Sequence, residues 1–204
     1  AGGMGLSVLE YGLINEVIGR SYYSPRVFGC NAPDSGNAEI LWNFGTDEQK
    51  EKYFQPLANA EVRSFFGMTE PDNSGSDPRG LKTTAVLDGD EWVINGRKWY
   101  STNANGSAFG IVMAVTDPDA GTHTRQSQII VPTDTPGVNL LRPIPVMGHK
   151  VGAGHWEVEF KDVRVPKANL LGERGAGFAI AQHRLGPGRI HHCMRWLGQA
   201  SRAF

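Results

Sequence analysis

Three stretches of this 204-residue sequence hold side chains whose type and spacing suit chemistry. The first runs Phe65-Phe66-Gly67-Met68-Thr69-Glu70-Pro71-Asp72-Asn73-Ser74-Gly75-Ser76-Asp77. An apolar run is stopped by Pro71, which has no backbone donor, and gives way to a tight loop of small polar residues. Such a loop offers free amides and the hydroxyls of Thr69, Ser74 and Ser76 with no bulk in the way. That suits a flat, polar-edged ring and a phosphate approached by backbone rather than by lysine; an ordinary strand-to-loop corner has the same composition. The second stretch is Trp92-Val93-Ile94-Asn95-Gly96-Arg97-Lys98-Trp99-Tyr100-Ser101-Thr102-Asn103. Neighbours on a strand point to opposite faces, so Trp99 and Tyr100 cannot both be core; one of them is a stacking surface or an exposed interface aromatic. The third, Leu185-Gly186-Pro187-Gly188-Arg189-Ile190-His191-His192-Cys193-Met194-Arg195, reads as a helix with a Gly-Pro break and a basic face. Three consecutive residues on one helix cannot converge on one metal, which excludes His191, His192 and Cys193 as a ligand set.

The elements that position these residues follow from periodicity. Apolar residues at helical spacing over 5–20 (Leu6, Leu9, Leu13, Ile14, Val17, Ile18) predict an amphipathic helix. Residues 24–37 read as loop, followed by a short helix over 39–44 that ends at Gly45. Thr46 and Gln49 form a capping box for a helix reaching about residue 57. After residue 60 the period becomes two. Short strands are expected at 81–87, 91–94, 98–101, 109–115, 128–131, 138–142, 156–160 and 163–165, with hairpin turns at Asp88-Gly89-Asp90 and Asn95-Gly96. From Gly175 a long helical pattern resumes, interrupted near 186–188. The fold class is α+β: N-terminal helices (1–64), a central antiparallel β-barrel or sandwich (65–166) and the start of a C-terminal helical bundle (167–204).

A net charge of −1 argues against broad electrostatic binding to nucleic acid or anionic membrane. No apolar run approaches the roughly 18 residues of a membrane span. Cys30 and Cys193 give neither a disulfide framework nor metal spacing, which favours a reducing compartment. The sequence has no basic, apolar leader at its start, and it reads as a piece of something longer. Walker A and G-x-G-x-x-G fingerprints are absent, so a dinucleotide would not be held Rossmann-style.

Met68-Thr69-Glu70-Pro71 followed by Gly75-Ser76-Asp77 resembles the "TEP…GSD" signature of the FAD-dependent acyl-CoA dehydrogenase family. Trp92–Asn103 is similar to its "INGxKxWITN" segment. Gly45-Thr46-Asp47-Glu48-Gln49-Lys50 with Pro56-Leu57 resembles the helix that precedes the TEP strand. Asp162-Val163-Arg164-Val165-Pro166, Asn169-Leu170-Leu171-Gly172 and Gly175-Ala176-Gly177-Phe178 resemble the passage into the C-terminal helices. The wording of 185–195 and of 31–37 is similar to the subgroup of family members 10 and 11, some of which carry a kinase-like domain. The resemblance implies FAD as cofactor, held by Met68, Thr69, Ser76, Trp99, Tyr100, Ser101 and Thr102, with Tyr100 at the ring-covering position and Thr102 near flavin N5. It implies acyl-CoA as substrate, contacted by Ser76 and Arg189.

The implied reaction is α,β-dehydrogenation to a trans-2-enoyl-CoA. An electron-transfer flavoprotein-type acceptor and a homodimer or homotetramer would follow, in bacterial cytoplasm or in mitochondria or peroxisomes. A flavin oxidase or monooxygenase, or a non-catalytic FAD- or acyl-CoA-binding module, shares the same pattern. Where some relatives place the catalytic base, just before the helix arginine, this chain has Gly188. No carboxylate occurs in 178–204, so the base is expected beyond residue 204. Glu70, extended ahead of Pro71, is expected to brace the loop rather than move protons.

Overall fold

Ser7 opens the first helix, α1 (Val8–Gly19), by a reciprocal cap: its hydroxyl accepts the Glu10 amide at 3.2 Å, and the Glu10 carboxylate accepts the Ser7 amide at 2.8 Å. In this computed structural model, which describes residues 3–75, 77–149 and 154–204, α1 is followed by α2 (Ser24–Val27) and α3 (Asp34–Phe44). The stretch read as loop over 24–37 therefore contains one short helix and the first turn of another. The capping box of Thr46 and Gln49 forms as expected and starts α4 (Asp47–Gln49), which passes through a π turn (Lys50–Phe54) into α5 (Gln55–Ala58). The Gln49 side chain also donates to the carbonyls of Ala168 (2.7 Å) and Leu170 (2.9 Å), so the cap ties these helices to the end of the sheet.

The strands are β1 (Ser64–Gly67), β2 (Thr84–Asp88), β3 (Glu91–Thr102), β4 (Phe109–Val115), β5 (Gln126–Pro132), β6 (Val138–Ile144), β7 (His155–Pro166) and β8 (Leu170–Leu171). They form one sheet in the order β6-β7-β3-β2-β4-β5-β8, with β1 alongside β4. The sheet is mixed and open rather than an antiparallel barrel. β1 pairs parallel with β4 from Ser64↔Phe109 to Gly67↔Val112, and β2 touches β4 in parallel at Thr84↔Val115. β1 enters from the helices, not from a hairpin, and the long stretch between β1 and β4 supplies the crossover a parallel pair needs.

Alternation along β4 and β5 builds two cores. Val112, Ala114, Ile129 and Val131 face Phe65, Trp92, Ile94, Val158 and Phe160 within the sheet. Phe109, Ile111 and Ile130 face Ile40, Leu41, Tyr53, Phe54 and Leu57 of the helices. Both strands are buried on two sides, and β4 is apolar throughout, whereas β5 opens with the buried polar run Gln126-Ser127-Gln128 before turning apolar.

Asn95-Gly96 is not a hairpin. β3 runs straight through it, with Gly96 at φ 150° and a register shift opposite β7. A Cβ at Gly96 would strike Thr83, so the glycine serves a close approach of backbones, not a turn. The two segments read at 156–160 and 163–165 are likewise one strand, β7, with Asp162 at φ 50°. There Asn95 stands in for the interrupted ladder, donating to Asp162 Oδ1 (3.1 Å) and accepting the Asp162 amide (2.8 Å).

The long helix α6 (Gly177–Ala203) is continuous through Pro187, against the expected interruption. It is anchored on both sides of the proline. Gln128 donates to the Gly177 carbonyl, Arg184 donates to Asn37 of α3, and α1 packs along the other half. That α1 contact overturns the expected apolar face: Leu9, Leu13 and Val17 are exposed, whereas Gly12, Asn15 and Gly19 are buried. The helices meet through glycine. A Cβ on Gly19 would strike the Arg195 backbone, and one on Gly198 would strike the Glu16 carbonyl. Among the described residues no helix is long and apolar enough to cross a membrane.

Candidate functional site

Beyond Gly67 the chain leaves the β1–β4 ladder, and residues 68–70 are held by other means. Lys98, at an inward position of β3, donates its Nζ to the Met68 carbonyl (3.0 Å) and to Glu70 Oε1 (2.8 Å). The Trp99 amide donates to the Thr69 carbonyl at 3.0 Å. Glu70 accepts the Thr83 amide on Oε1 (2.9 Å) and the Lys82 amide on Oε2 (2.6 Å). Both members of the ion pair are buried, at 0% and 3% side-chain exposure. Burial works to raise the Glu70 carboxyl, but the Lys98 charge and the hydrogen bonds from Lys98, Thr83 and Lys82 outweigh it and hold the group below its ordinary value. Burial pushes the Lys98 ammonium down to about 8, against the pull of Glu70. Glu70 thus braces the loop, as expected, and has no spare geometry for proton transfer.

On β3 the register slips again between Lys98 and Ser101, and Tyr100 takes φ 50°. This bulge cancels the alternation on which opposite faces were expected for the two aromatics. The Trp99 and Tyr100 rings instead touch edge-on, with centroids 5.0 Å apart and planes at 65°. Ser101 is buried, and its hydroxyl, like the Trp99 indole N–H, finds no hydrogen-bond partner among the described residues. Thr102 Oγ1 lies 2.8 Å from His155 Nδ1, and the His155 ring is 6.2 Å from Tyr100.

Past Pro71, Asn73 donates to the Asp77 carbonyl at 2.6 Å, and Asp77 takes a two-pronged contact from Arg79 at 2.7 Å per prong. Those Arg79 hydrogen bonds lower the Asp77 carboxyl to about 2. Ser76 lies outside the described residues, as do Gly152 and Ala153. A Cβ at Gly75 would stand 3.3 Å from Thr69 Cγ2, so the loop folds back on the threonine.

Between this segment and α6 is a cavity of about 200 Å³ lined by Met68, Gly75, Met113, Phe178, Leu185 and Arg189. A second, more open one of about 580 Å³ adjoins it through Pro78, Phe178 and Gln182 and carries Arg79 and His123. The structure therefore brings Met68 and Arg189 to one cavity, joins Thr69 to Trp99 by backbone, and gathers Tyr100 and Thr102 around His155.

Sequence reasoning missed Lys98, His155 and Phe178. For Lys98 a signal existed: it continues the inward series Trp92 and Ile94, and an inward lysine demands a buried carboxylate. His155 is opposite Thr102 only because β3 and β7 pair there, a long-range fact without local trace.

Residues 65–163 match the acyl-CoA dehydrogenase middle domain and residues 1–61 the acyl-CoA dehydrogenase N-terminal domain. The chain is 51% identical over 202 residues to "Probable acyl-CoA dehydrogenase FadE2" of Mycobacterium tuberculosis, covering 98% of this chain and 50% of that protein. It is 46% identical over 203 residues to mouse "Acyl-CoA dehydrogenase family member 11", covering 97% of this chain and 26% of the relative. Butyryl-CoA dehydrogenase from Megasphaera elsdenii superposes with a TM-score of 0.83 at 35% identity, over 98% of this chain and 51% of that one. The chain spans at most about half the length of these relatives.

Proposed function

The chain belongs to the acyl-CoA dehydrogenase family, and from that premise we propose that it forms the flavin- and substrate-facing part of an FAD-dependent enzyme that converts acyl-CoA thioesters to trans-2-enoyl-CoAs. The observation that carries the proposal is the junction of two segments far apart in sequence: the Trp99 amide bonded to the Thr69 carbonyl. It puts the hydroxyl-bearing run after β1 beside the aromatic bulge of β3. The residues present fit FAD. The indole N–H of Trp99 and the hydroxyl of Ser101 are buried without partners, and native interiors leave few such groups unexplained. A ligand rich in ring nitrogens and carbonyl oxygens supplies acceptors for them. FAD, when bound, accepts the hydride leaving the β-carbon.

The chain's own residues do the rest. Thr69, Ser101 and Thr102 offer hydrogen bonds, with Ser76 as a further contact in the same loop. Trp99 and Tyr100 supply aromatic surface. Met68, Phe178 and Leu185 give the cavity an apolar side for an acyl chain, and Arg189 sets a positive charge on its wall. The α-proton goes to a base supplied elsewhere in the full-length protein, since 178–204 holds no carboxylate and Glu70 is engaged by Lys98. Electrons pass on to an electron-transfer flavoprotein-type acceptor, and the complete protein assembles as a homodimer or homotetramer.

The test is the visible spectrum of the full-length protein under anaerobic addition of acyl-CoAs of graded length. A flavin band bleached by at least one of them is expected. A band unmoved by every acyl-CoA contradicts the proposal, and oxygen uptake on substrate addition reassigns the protein as an oxidase.

A further inference from the structure

The buried Lys98–Glu70 pair takes no part in that chemistry, and its cost needs a reason. An ion pair removed from water rarely repays its desolvation, and well-packed apolar replacements are often as stable or more so. What such a pair does supply is a fixed geometry. Here it fixes three consecutive residues that have no strand partner of their own. The Met68 carbonyl is taken by Lys98 Nζ, the Thr69 carbonyl by the amide of the next residue, Trp99, and the Glu70 carboxylate by Lys98 Nζ together with the amides of Lys82 and Thr83. The same lysine stands at the first register position before the β3 bulge that carries Trp99, Tyr100 and Thr102.

We propose that Glu70 and Lys98 are positioning residues that set the backbone of 68–70 against the Trp99–Thr102 bulge, so that cofactor affinity depends on the pair more than the fold does. This rests on the flavin site proposed above.

The experiment uses the full-length protein with Glu70→Gln, Lys98→Met and the double variant. Three quantities are read: Tm, FAD affinity of the apoprotein by fluorescence titration, and amide exchange across 68–83 without FAD. Each single variant strands a polar partner in the interior and lowers Tm. The double variant removes both charges and regains part of the Tm, the Met68 carbonyl having lost its Lys98 partner. Its FAD affinity nevertheless stays roughly tenfold or more below wild type, and its 68–83 amides exchange faster. A double variant that regains Tm, FAD affinity and exchange protection together overturns the positioning role. Should wild-type protein bind no FAD, the flavin site fails, and exchange decides the pair on its own: faster exchange in the double variant supports positioning, and unchanged exchange overturns it.

Discussion

A lysine at full burial and a glutamate at 3% exposure carry opposite consequences for pH. The folded value of Glu70 lies below its ordinary one, so the carboxylate contributes stability that is present above that ordinary value and lost as pH falls through the folded one. The Tm gap between wild type and Glu70→Gln should therefore be widest near neutrality and close as pH falls through the lowered folded value of Glu70, below which both side chains are uncharged. A gap that persists unchanged under acid would show that ionisation of Glu70 is not what matters. Lys98 works the other way. With a folded value of about 8, its charge weighs against stability below that pH, and the burden lifts as pH climbs towards the ordinary lysine range. At this scale the sequence was partly legible. Pro71 made Glu70 readable as a brace, but its partner Lys98 looked like any strand residue until the register of β3 was known. Trp99 and Tyr100 were recognisable as ring surface, whereas their side-by-side arrangement depends on a bulge that no local pattern announces.

Among elements, α6 shows how one residue type serves two purposes. Gly188 faces open space, while Gly198 lies against the α1 backbone near Glu16. Replacing a helical glycine whose Cβ would meet nothing with alanine removes backbone freedom from the unfolded chain, so Gly188→Ala should stabilise by about 0.5–1 kcal/mol. Gly198→Ala forces α1 and α6 apart and should cost about 1–3 kcal/mol. Denaturant unfolding of the two variants checks both signs, and equal effects would refute the glycine-mediated contact. Helix caps at Ser7 and Thr46 and strand β4 obey local rules; for Thr46 and β4 the sequence sufficed. It did not suffice at Asn95-Gly96, a strong hairpin signal spent on a close approach to Thr83, nor on α1, whose glycine and asparagine are buried while its leucines are exposed.

Across the whole molecule, the order helices, sheet, helix was readable because the hydrophobic period changes near residues 60 and 175. The direction of β1 was not, because its parallel pairing with β4 joins segments some 45 residues apart and leaves no periodic mark in either. The same long-range pairing hands the run after β1 to Lys98 and Trp99, and it is there that a flavin site is proposed. FAD titration of the full-length apoprotein tests that proposal most directly, with wild type set against Thr102→Val, which deletes the hydroxyl now 2.8 Å from His155. One FAD per chain is expected, bound about tenfold more weakly by the variant, the value of one hydrogen bond. An apoprotein that takes up no FAD, or one whose affinity is unchanged by Thr102→Val, contradicts the account.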